Sequence, residues 1–317
     1  MAHDWKTAGS GYWGNPKLSS KVRMQADYQT RLIDIVDPAT EYNIGKKSGD
    51  KVAISIYGRI TTLGDSALGE RQRFPRQNIP RYEVQATVSR RGLAVDWTET
   101  RETLFQIDER SPYTKILQEN AARTNNKLIR DAVVEGRSYR YTALTANTYS
   151  FKTDGTAPTA AAHALNRWHL IELGKLLKQY NVPTFDGETY PFVISAQLEA
   201  DLLQDVSTNG FVDVAKYAAN GAADVMKGEI GKAGPFRFIV DNDQLLNGSG
   251  YGEGFIIGGD GVKEAMVNPL EILMNDNIGG QFGQEKAMAW TSFLGYSVPW
   301  NYATHGQGSV LHYESKA

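Results

Sequence analysis

Two strand-like segments separated by a long aperiodic segment constrain this chain more than any other feature. Apolar residues alternate with polar ones at 52–56 and again at 84–88, which is the period of a half-buried β-strand. Between Ile60 and Tyr82 lie 21 residues with no period. Such a loop is uncommon in a compact domain, and an isolated two-stranded ribbon is marginally stable at best. The sequence therefore predicts a long hairpin at 51–97 whose tip is either mobile or held by something outside the subunit.

Arginines surround an aromatic residue at the predicted tip of this hairpin. Arg71, Arg73, Arg76 and Arg81 lie close in sequence to Phe74 and to two prolines. Arginine forks suit pairing with carboxylates, and arginine and aromatic residues are enriched at interface cores. We predict that these five residues form an intersubunit contact, and a solvated, mobile tip is the alternative.

The first 45 residues are polar with scattered apolar anchors and show no lasting helical or strand period. This pattern predicts an extended arm. Free arms do not usually carry two tryptophans, so we expect Trp5 and Trp13 to lie against protein, at an interface. A partly ordered tail is the alternative.

Composition narrows the class of protein. Of 317 residues, 41% are hydrophobic and 22% charged, which is typical of a soluble protein with a core. No segment is apolar enough for a membrane span or a secretory signal, so we expect no membrane partner and no export. Cysteine is absent, which excludes disulfides and thiolate metal sites.

Charge is unevenly placed along the chain. Residues 181–317 contain 7 Lys/Arg and 17 Asp/Glu, whereas residues 51–97 contain 8 Arg/Lys and 4 Asp/Glu. Either the basic half meets nucleic acid, or it meets the acidic half of a neighbouring copy. The small net charge of -2 argues against tight, sequence-specific binding of nucleic acid.

Helix and strand signals alternate irregularly after the hairpin, which indicates an α+β fold. Ser111 as N-cap, Pro112 and Gly136 predict a long helix. Its expected apolar stripe is Leu117, Ala121, Thr124, Leu128 and Ala132. Further helices are predicted at 159–180, after Ser195 and at 211–219. Strands are predicted at 190–194, 236–240, 254–257, 265–267, 270–274, 286–294, 296–300 and 310–313.

The motifs that match sites for catalysis or cofactor binding lack the surrounding secondary structure or residue spacing that such sites require. The G-x-G-x-x-G match at 9–14 follows no strand and opens no helix, so it lacks the geometry of a phosphate site. The glycine-rich segment 248–254 is interpreted as a flexible loop, and Asp241 and Asp243 as a turn. No histidines pair at metal-ligand spacing, and His169 is expected in a core or interface. We predict no catalytic residue, cofactor or metal ligand.

Several segments, in this order, resemble the major capsid proteins of tailed bacteriophages, which have the Hong Kong 97-like fold. TKILQENAARTNNKLIRDAVVEG resembles the spine helix, and YPFVISAQLEADLLQD resembles the entry to the axial domain. KGEIGKAGPFRFIVDND and AWTSFLGYSVPW resemble later segments. The resemblance implies an N-terminal arm at 1–47, an extended β-hairpin loop at 48–98, a peripheral domain at 99–189 with a spine helix at 111–137, an axial domain at 190–275, and a return to the peripheral domain at 276–317.

The resemblance also implies a function and partners. The expected protein is a non-enzymatic subunit that forms pentamers and hexamers of an icosahedral shell around double-stranded DNA, which it contacts loosely. Portal, scaffolding, and decoration or cement proteins are the implied partners, and the implied location is the virion, assembled in the bacterial host cytoplasm. The alternatives are an encapsulin-like compartment, another virion component such as a tail or decoration protein, and an intracellular hydrolase.

Overall fold

A computed structural model describes residues 32–36, 51–60, 63–65, 67–104, 110–136, 164–204, 229–241, 252–278 and 282–315. The helices are a 3-10 turn at Leu32–Ile35, α1 at Glu99–Leu104, α2 at Arg110–Gly136, α3 at Arg167–Gln179, α4 at Ala196–Gln204 and α5 at Tyr302–His305. The strands are β1 Lys51–Tyr57, β2 Arg81–Thr87, β3 Ser89–Thr98, β4 Tyr190–Ile194, β5 Glu229–Ala233, β6 Phe236–Val240, β7 Gly252–Ile257, β8 Lys263–Asn275, β9 Glu285–Ser297 and β10 Val310–Ser315.

A mixed five-stranded sheet, in the order β10-β7-β4-β6-β5, forms the centre of the larger core. Among the described strands, β4 and β6 alone pair in parallel. Helices α3 and α4 pack on one face of this sheet, while α2 and the 3-10 turn pack on the other. Because both faces are covered, all five residues of β4 are buried, which explains its continuous apolar sequence.

Strand β7 begins two residues earlier than predicted, within the glycine-rich segment that was interpreted as a loop. Gly252 and Gly254 are buried within this strand, and residues 248–251 lie outside the described residues. A Cβ at Gly254 would lie 2.6 Å from Phe192 and 2.9 Å from Leu198. The glycine is therefore explained by close packing of α4 and β4 against the strand, and not by a need for a flexible loop.

A second sheet, in the order β3-β9-β8, corrects the predicted extent of the hairpin. Residues 89–98 do not continue the hairpin pairing, because β3 pairs with β9 over its whole length, from Ser89 opposite Leu294 to Thr98 opposite Glu285. Strands β8 and β9 are each one continuous strand where two shorter strands were predicted. Irregular pairing of β8 at residues 266–271 accounts for the apparent break in its sequence pattern.

Helix α2 joins the two sheets along its length of about 40 Å. Leu117 and Ala121 pack with Trp290 against the three-stranded sheet, while Ile129 and Val133 pack against the five-stranded sheet. The helix begins at Arg110, so Ser111 lies within the first turn and is not the N-cap.

The predicted apolar stripe of α2 is partly wrong. Thr124, Leu128 and Ala132 are only half-buried, whereas Asn125 and Asn126 are buried. The Asn126 side chain accepts a bond from the Leu32 backbone N–H and donates one to Asp241, and these bonds compensate for its burial. An apolar pattern cannot identify such a position. Asp241 is likewise buried and bonded to α2, whereas residues 242 and 243 of the predicted turn lie outside the described residues.

Helix α3 is shorter than its pattern suggested. It begins at Arg167, after Asn166 caps its first turn by accepting from the His169 N–H. His169 is fully buried, as expected of a core histidine, and its Nδ1 lies 3.1 Å from the Tyr313 hydroxyl. The start predicted at 159 and the helix predicted at 211–219 lie outside the described residues. Within the described part of the chain, no helix is long and apolar enough to cross a membrane.

Candidate intersubunit contact surface

The root of the hairpin is fixed firmly to the body of the subunit. Strands β1 and β2 pair antiparallel in a single register, from Lys51 opposite Thr87 to Tyr57 opposite Arg81. Ala86 and Val88 pack on Ala265 of β8. A Cβ at Gly295 of β9 would collide with the Thr87 carbonyl, so the hairpin meets the sheet at backbone contact. The ring of Tyr82 also packs edge-on against His305, 4.7 Å between centroids.

The hairpin tip, defined as residues 63–79, is exposed throughout its described residues. Phe74 is 78% and Leu63 76% exposed, and Leu68 and Ile79 are exposed as well. A local turn closes part of the tip, since the Gln72 N–H donates to the Gly69 carbonyl. Apolar side chains concentrated on one exposed surface mark an interaction site more often than isolated ones do.

The predicted contact residues fall into three groups. Arg71, Arg73, Phe74 and Arg76 all lie on the exposed tip, within a few residues of one another. Arg81 instead begins β2, where its guanidinium donates to the Ser55 hydroxyl at 2.9 Å. Arg81 thus helps to close the hairpin itself.

Trp5 and Trp13, the remaining predicted contact residues, lie outside the described residues.

A second exposed surface with apolar and acidic residues lies at the far end of the β8–β9 hairpin. We call it the sheet end, and its exposed members are Leu270, Glu271, Leu273, Met274, Asp276, Phe282 and Glu285. Phe282 is 98% exposed on the connection between the two strands. Both surfaces expose apolar side chains. The tip has three arginines and two acidic residues, whereas the charged members of the sheet end are all acidic, so the net charges of the two surfaces are opposite in sign, a combination that suits contact between copies.

Ion pairs hold the base of the sheet end. Glu102 of α1 accepts hydrogen bonds from Lys286 of β9 and from Arg110 of α2, both at 2.8 Å. The bond from Lys286, followed by that from Arg110, lowers the pKa of Glu102 from its ordinary value to about 2. Arg110 also lies 3.8 Å from Asp276. These charged groups tie α1, α2 and β9 together beneath the exposed residues.

A polar cleft of about 500 Å³ lies where the hairpin root, α2 and β9 meet. Its walls include Gln85, Arg91, Leu128, Asp131 and Tyr296. The half-buried side of α2 therefore faces this cleft, which explains why Leu128 is not part of the core.

A buried polar cluster between β7 and β10 was not predicted from the sequence. Glu253 of β7 and both His312 and Glu314 of β10 place one ligand atom each within 4.8 Å of the others. A partial signal was present, because residue 312 lies on the strand predicted at 310–313, and residue 314 shares its face once the strand continues to 315. The third member could not be recognised while residues 248–254 were taken for a loop.

Comparison with known proteins identifies the fold. No protein-family model matches the chain, and no curated protein is significantly similar in sequence. Among solved structures, the capsid of the cyanophage P-SCSP1u matches with a TM-score of 0.67 at 15% identity, over 94% of this chain and 91% of that chain. The capsid of cyanophage Pam1 matches with a TM-score of 0.66 at 14% identity, over 100% and 99% of the two chains. The capsid of Ralstonia phage GP4 matches with a TM-score of 0.65 at 15% identity, over 96% and 97%.

These matches extend over nearly the whole of both chains, so they concern the complete arrangement of helices and strands. The chain therefore has the mixed helix-and-strand fold of phage capsid proteins, as the resemblance of its sequence segments implied.

Proposed function

We propose that this protein is the major capsid protein of a tailed bacteriophage and that it assembles into the shell around the phage genome. The observation that carries the proposal is the full-length match of its fold to phage capsid proteins. An exposed hairpin with apolar and basic residues at its tip agrees with a role in assembly, because such a surface is unfavourable in water and favourable against a neighbour. The subunit has a structural role and performs no catalysis.

The hairpin tip is the proposed link between copies. Phe74 and its apolar neighbours supply area to bury, while Arg71, Arg73 and Arg76 supply charge. An acidic acceptor on the neighbour is expected, and the sheet end, with Glu271 and Glu285, has the required character. Individual contacts can be weak, since each subunit touches several neighbours and multivalency raises the total affinity.

Domain roles follow from the same proposal. Residues 1–47 are the N-terminal arm, residues 48–88 the extended loop, and α2 the spine helix, since β3 at 89–98 belongs to the three-stranded sheet. The unit around the three-stranded sheet is peripheral, and the five-stranded sheet with α3 and α4 is axial. The limits at 189 and 275 that the sequence predicted are changed by the packing. Helix α3 and strand β10 pack with the five-stranded sheet and are placed in the axial unit. Strand β8 pairs with β9 and is placed in the peripheral unit.

Partners and location complete the proposal. Copies form pentamers and hexamers, and a portal, a scaffolding protein and a decoration or cement protein meet the shell. Contacts with double-stranded DNA are loose and run through phosphates, without base readout. Assembly takes place in the host cytoplasm, and the mature protein resides in the virion.

Charge reversal at the hairpin tip tests the proposed role. Arg71→Glu, Arg73→Glu and Arg76→Glu together should prevent shell formation and leave a folded subunit or small oligomer, because all three residues are exposed and none supports the core. Particle size is measured by light scattering and electron microscopy, and folding by circular dichroism.

The matched control reverses two exposed basic residues on α3, Lys175 and Lys178, and should still form shells. Normal shells from the tip variant would contradict the proposed contact. Loss of shells from the control alone would place the important basic surface on α3.

A further inference from the structure

Strand β3 forms an unprotected edge of the three-stranded sheet. It lies at one end of the order β3-β9-β8, and no other described strand pairs with its outer side. Residues 90–94 are all exposed, and Leu93 among them is 47% exposed. The outer side of an edge strand presents backbone N–H and C=O groups that can pair with another chain. Strand β3 therefore has an open row of hydrogen-bonding groups along its ten residues.

The opposite edge of the same sheet is protected, which distinguishes it from the edge at β3. Strand β8 contains Pro269, which has no N–H to donate, and its pairing with β9 shifts register between Met266 and Glu271. Prolines and bulges are common means by which an edge strand avoids pairing with other chains. Strand β3 has no proline, and its register with β9 is regular from Ser89 to Thr98. One edge is thus blocked and the other is able to pair.

The hydrogen-bonding pattern of β3 restricts how a second copy of the strand can pair with it. In an antiparallel ladder, alternate residues direct both N–H and C=O to the same neighbour. Every second residue of β3 therefore directs these groups away from β9, and these residues must lie opposite each other if two copies of β3 pair. Two antiparallel copies meet this condition only when their two-fold axis passes beside a residue and not between two residues.

The register centred on Leu93 satisfies this condition and also pairs opposite charges. It places Arg90 of each copy opposite Asp96 of the partner subunit, twice by symmetry, and Leu93 opposite its own equivalent. Arg90 and Asp96 are six residues apart on the strand, so they project from the same face, and both are exposed. Opposite charges directly across an antiparallel pair stabilise it. The paired residues then extend from Ser89 to Trp97, which is nearly the whole strand.

The side chains of Arg90 and Asp96 are able to form this ion pair. The Nε atom of Arg90 donates to the Thr291 hydroxyl at 3.3 Å, and its guanidinium lies 5.7 Å from the centre of the Phe293 ring. These contacts hold the side chain over the sheet, and its terminal nitrogens can still donate to a carboxylate. Asp96 forms no salt bridge with any described residue.

We propose that two copies of this chain join through the outer edges of their β3 strands, antiparallel and centred on Leu93, so that their three-stranded sheets continue into each other. Helix α2 of both copies then lies on one side of the joined sheet, because equivalent residues of the two strands project from the same face. A self-complementary contact of this kind closes a two-fold link between copies. Its place in a shell rests on the function proposed above, but the pairing itself involves only two subunits and is tested separately.

Cysteine crosslinking tests the register, since the chain has no cysteine of its own. In Leu93→Cys the two thiols lie directly opposite each other, within reach of a disulfide. In Ala94→Cys, the control, the equivalent residues are offset by two positions, about 7–8 Å apart, which is too far for a disulfide. Under mild oxidation, Leu93→Cys should form several-fold more crosslinked dimer than Ala94→Cys, measured by non-reducing electrophoresis of subunits and of any shells. Equal yields from the two variants, or no dimer from Leu93→Cys, would overturn the proposal.

A charge exchange tests the two ion pairs. In the Leu93→Cys background, Asp96→Arg places two arginines opposite each other and should lower the yield of dimer several-fold. Adding Arg90→Asp restores opposite charges and should recover the yield, which a role of either residue within its own subunit would not produce. Circular dichroism checks that each variant is folded. An unchanged yield in Asp96→Arg, or no recovery in the folded double exchange, would contradict the register.

The outcome for the shell is read separately. Normal shells without specific crosslinking of Leu93→Cys would contradict the β3 contact alone, and would leave this edge to a different segment of a neighbouring copy. A specific Leu93→Cys dimer from a chain that never forms shells would support the contact and contradict the proposed function.

Discussion

Glu102 shows how a single side chain can make stability depend on pH. Its carboxylate accepts from Lys286 and Arg110, which come from different elements. Because these bonds hold its folded-state pKa at about 2, below the ordinary value of 4.5, the folded protein binds its proton less readily than the unfolded chain does. The resulting stability is complete above the unfolded pKa and is lost as the pH falls through the folded one.

We therefore predict that Glu102→Gln lowers the free energy of unfolding at neutral pH and removes part of the acid dependence between pH 4.5 and about 2. Denaturant unfolding at a series of pH values measures both effects. Glu83→Gln, at an exposed position on β2, serves as the control because it also removes one carboxylate. An acid profile of Glu102→Gln that is parallel to wild type would show that the two bonds contribute nothing.

Gly254 gives a second prediction at the scale of one residue. A Cβ there would overlap Phe192 and Leu198, so Gly254→Ala should destabilise the protein by about 1–3 kcal/mol, the usual cost of overpacking. Gly64→Ala on the hairpin tip has open space and should leave stability within about 0.5 kcal/mol of wild type. Chemical denaturation compares the two, and equal midpoints would contradict the packing explanation.

The sequence predicted apolar positions in strands better than polar positions in the core. The alternation at 52–56 correctly identified Ile54 and Ile56 as buried. It could not identify Asn126 or Glu253, whose burial depends on partners far away in the sequence. Of the predicted contact residues, the tip arginines and Phe74 proved to be exposed together, while the role of Arg81 within β2 required knowledge of the strand pairing.

The extended hairpin is the element whose stability depends most on its surroundings. Its root packs on β8 and β9, but the described residues of its tip are all exposed. Local signals predicted β1 and β2. They could not show that the chain leaves the hairpin at residue 88 to pair with β9, because that partner lies roughly 200 residues further along the chain.

Proteolysis should report the state of the tip. In unassembled subunits, trypsin should cleave first after Arg71, Arg73 or Arg76, because exposed loop tips are preferred sites of nicking. Arginines in α2, such as Arg123 and Arg130, should resist because cleavage there requires the helix to unfold. In assembled shells the tip should be protected, as measured by mass spectrometry of the fragments. Equal cleavage of the tip in both states would argue against its burial between copies.

In the whole molecule, α2 packs against both sheets, and the exposed hairpin packs by its root on the three-stranded sheet. This arrangement leaves two surfaces of opposite charge, the hairpin tip and the sheet end, on one chain. A surface and its complement on the same subunit allow identical copies to join repeatedly, and the geometry of that contact decides whether the assembly closes. The sequence predicted the charge asymmetry, but it could not place the acidic residues on a particular surface.

Electron microscopy of the purified wild-type protein, at a resolution that traces the chain, shows whether the hairpin joins copies of this protein into a shell. Closed icosahedral shells are expected, in which the hairpin of one copy lies across its neighbour with Phe74 buried. A uniform population of monomers or dimers, with the hairpin tip still exposed under conditions that favour assembly, would contradict it.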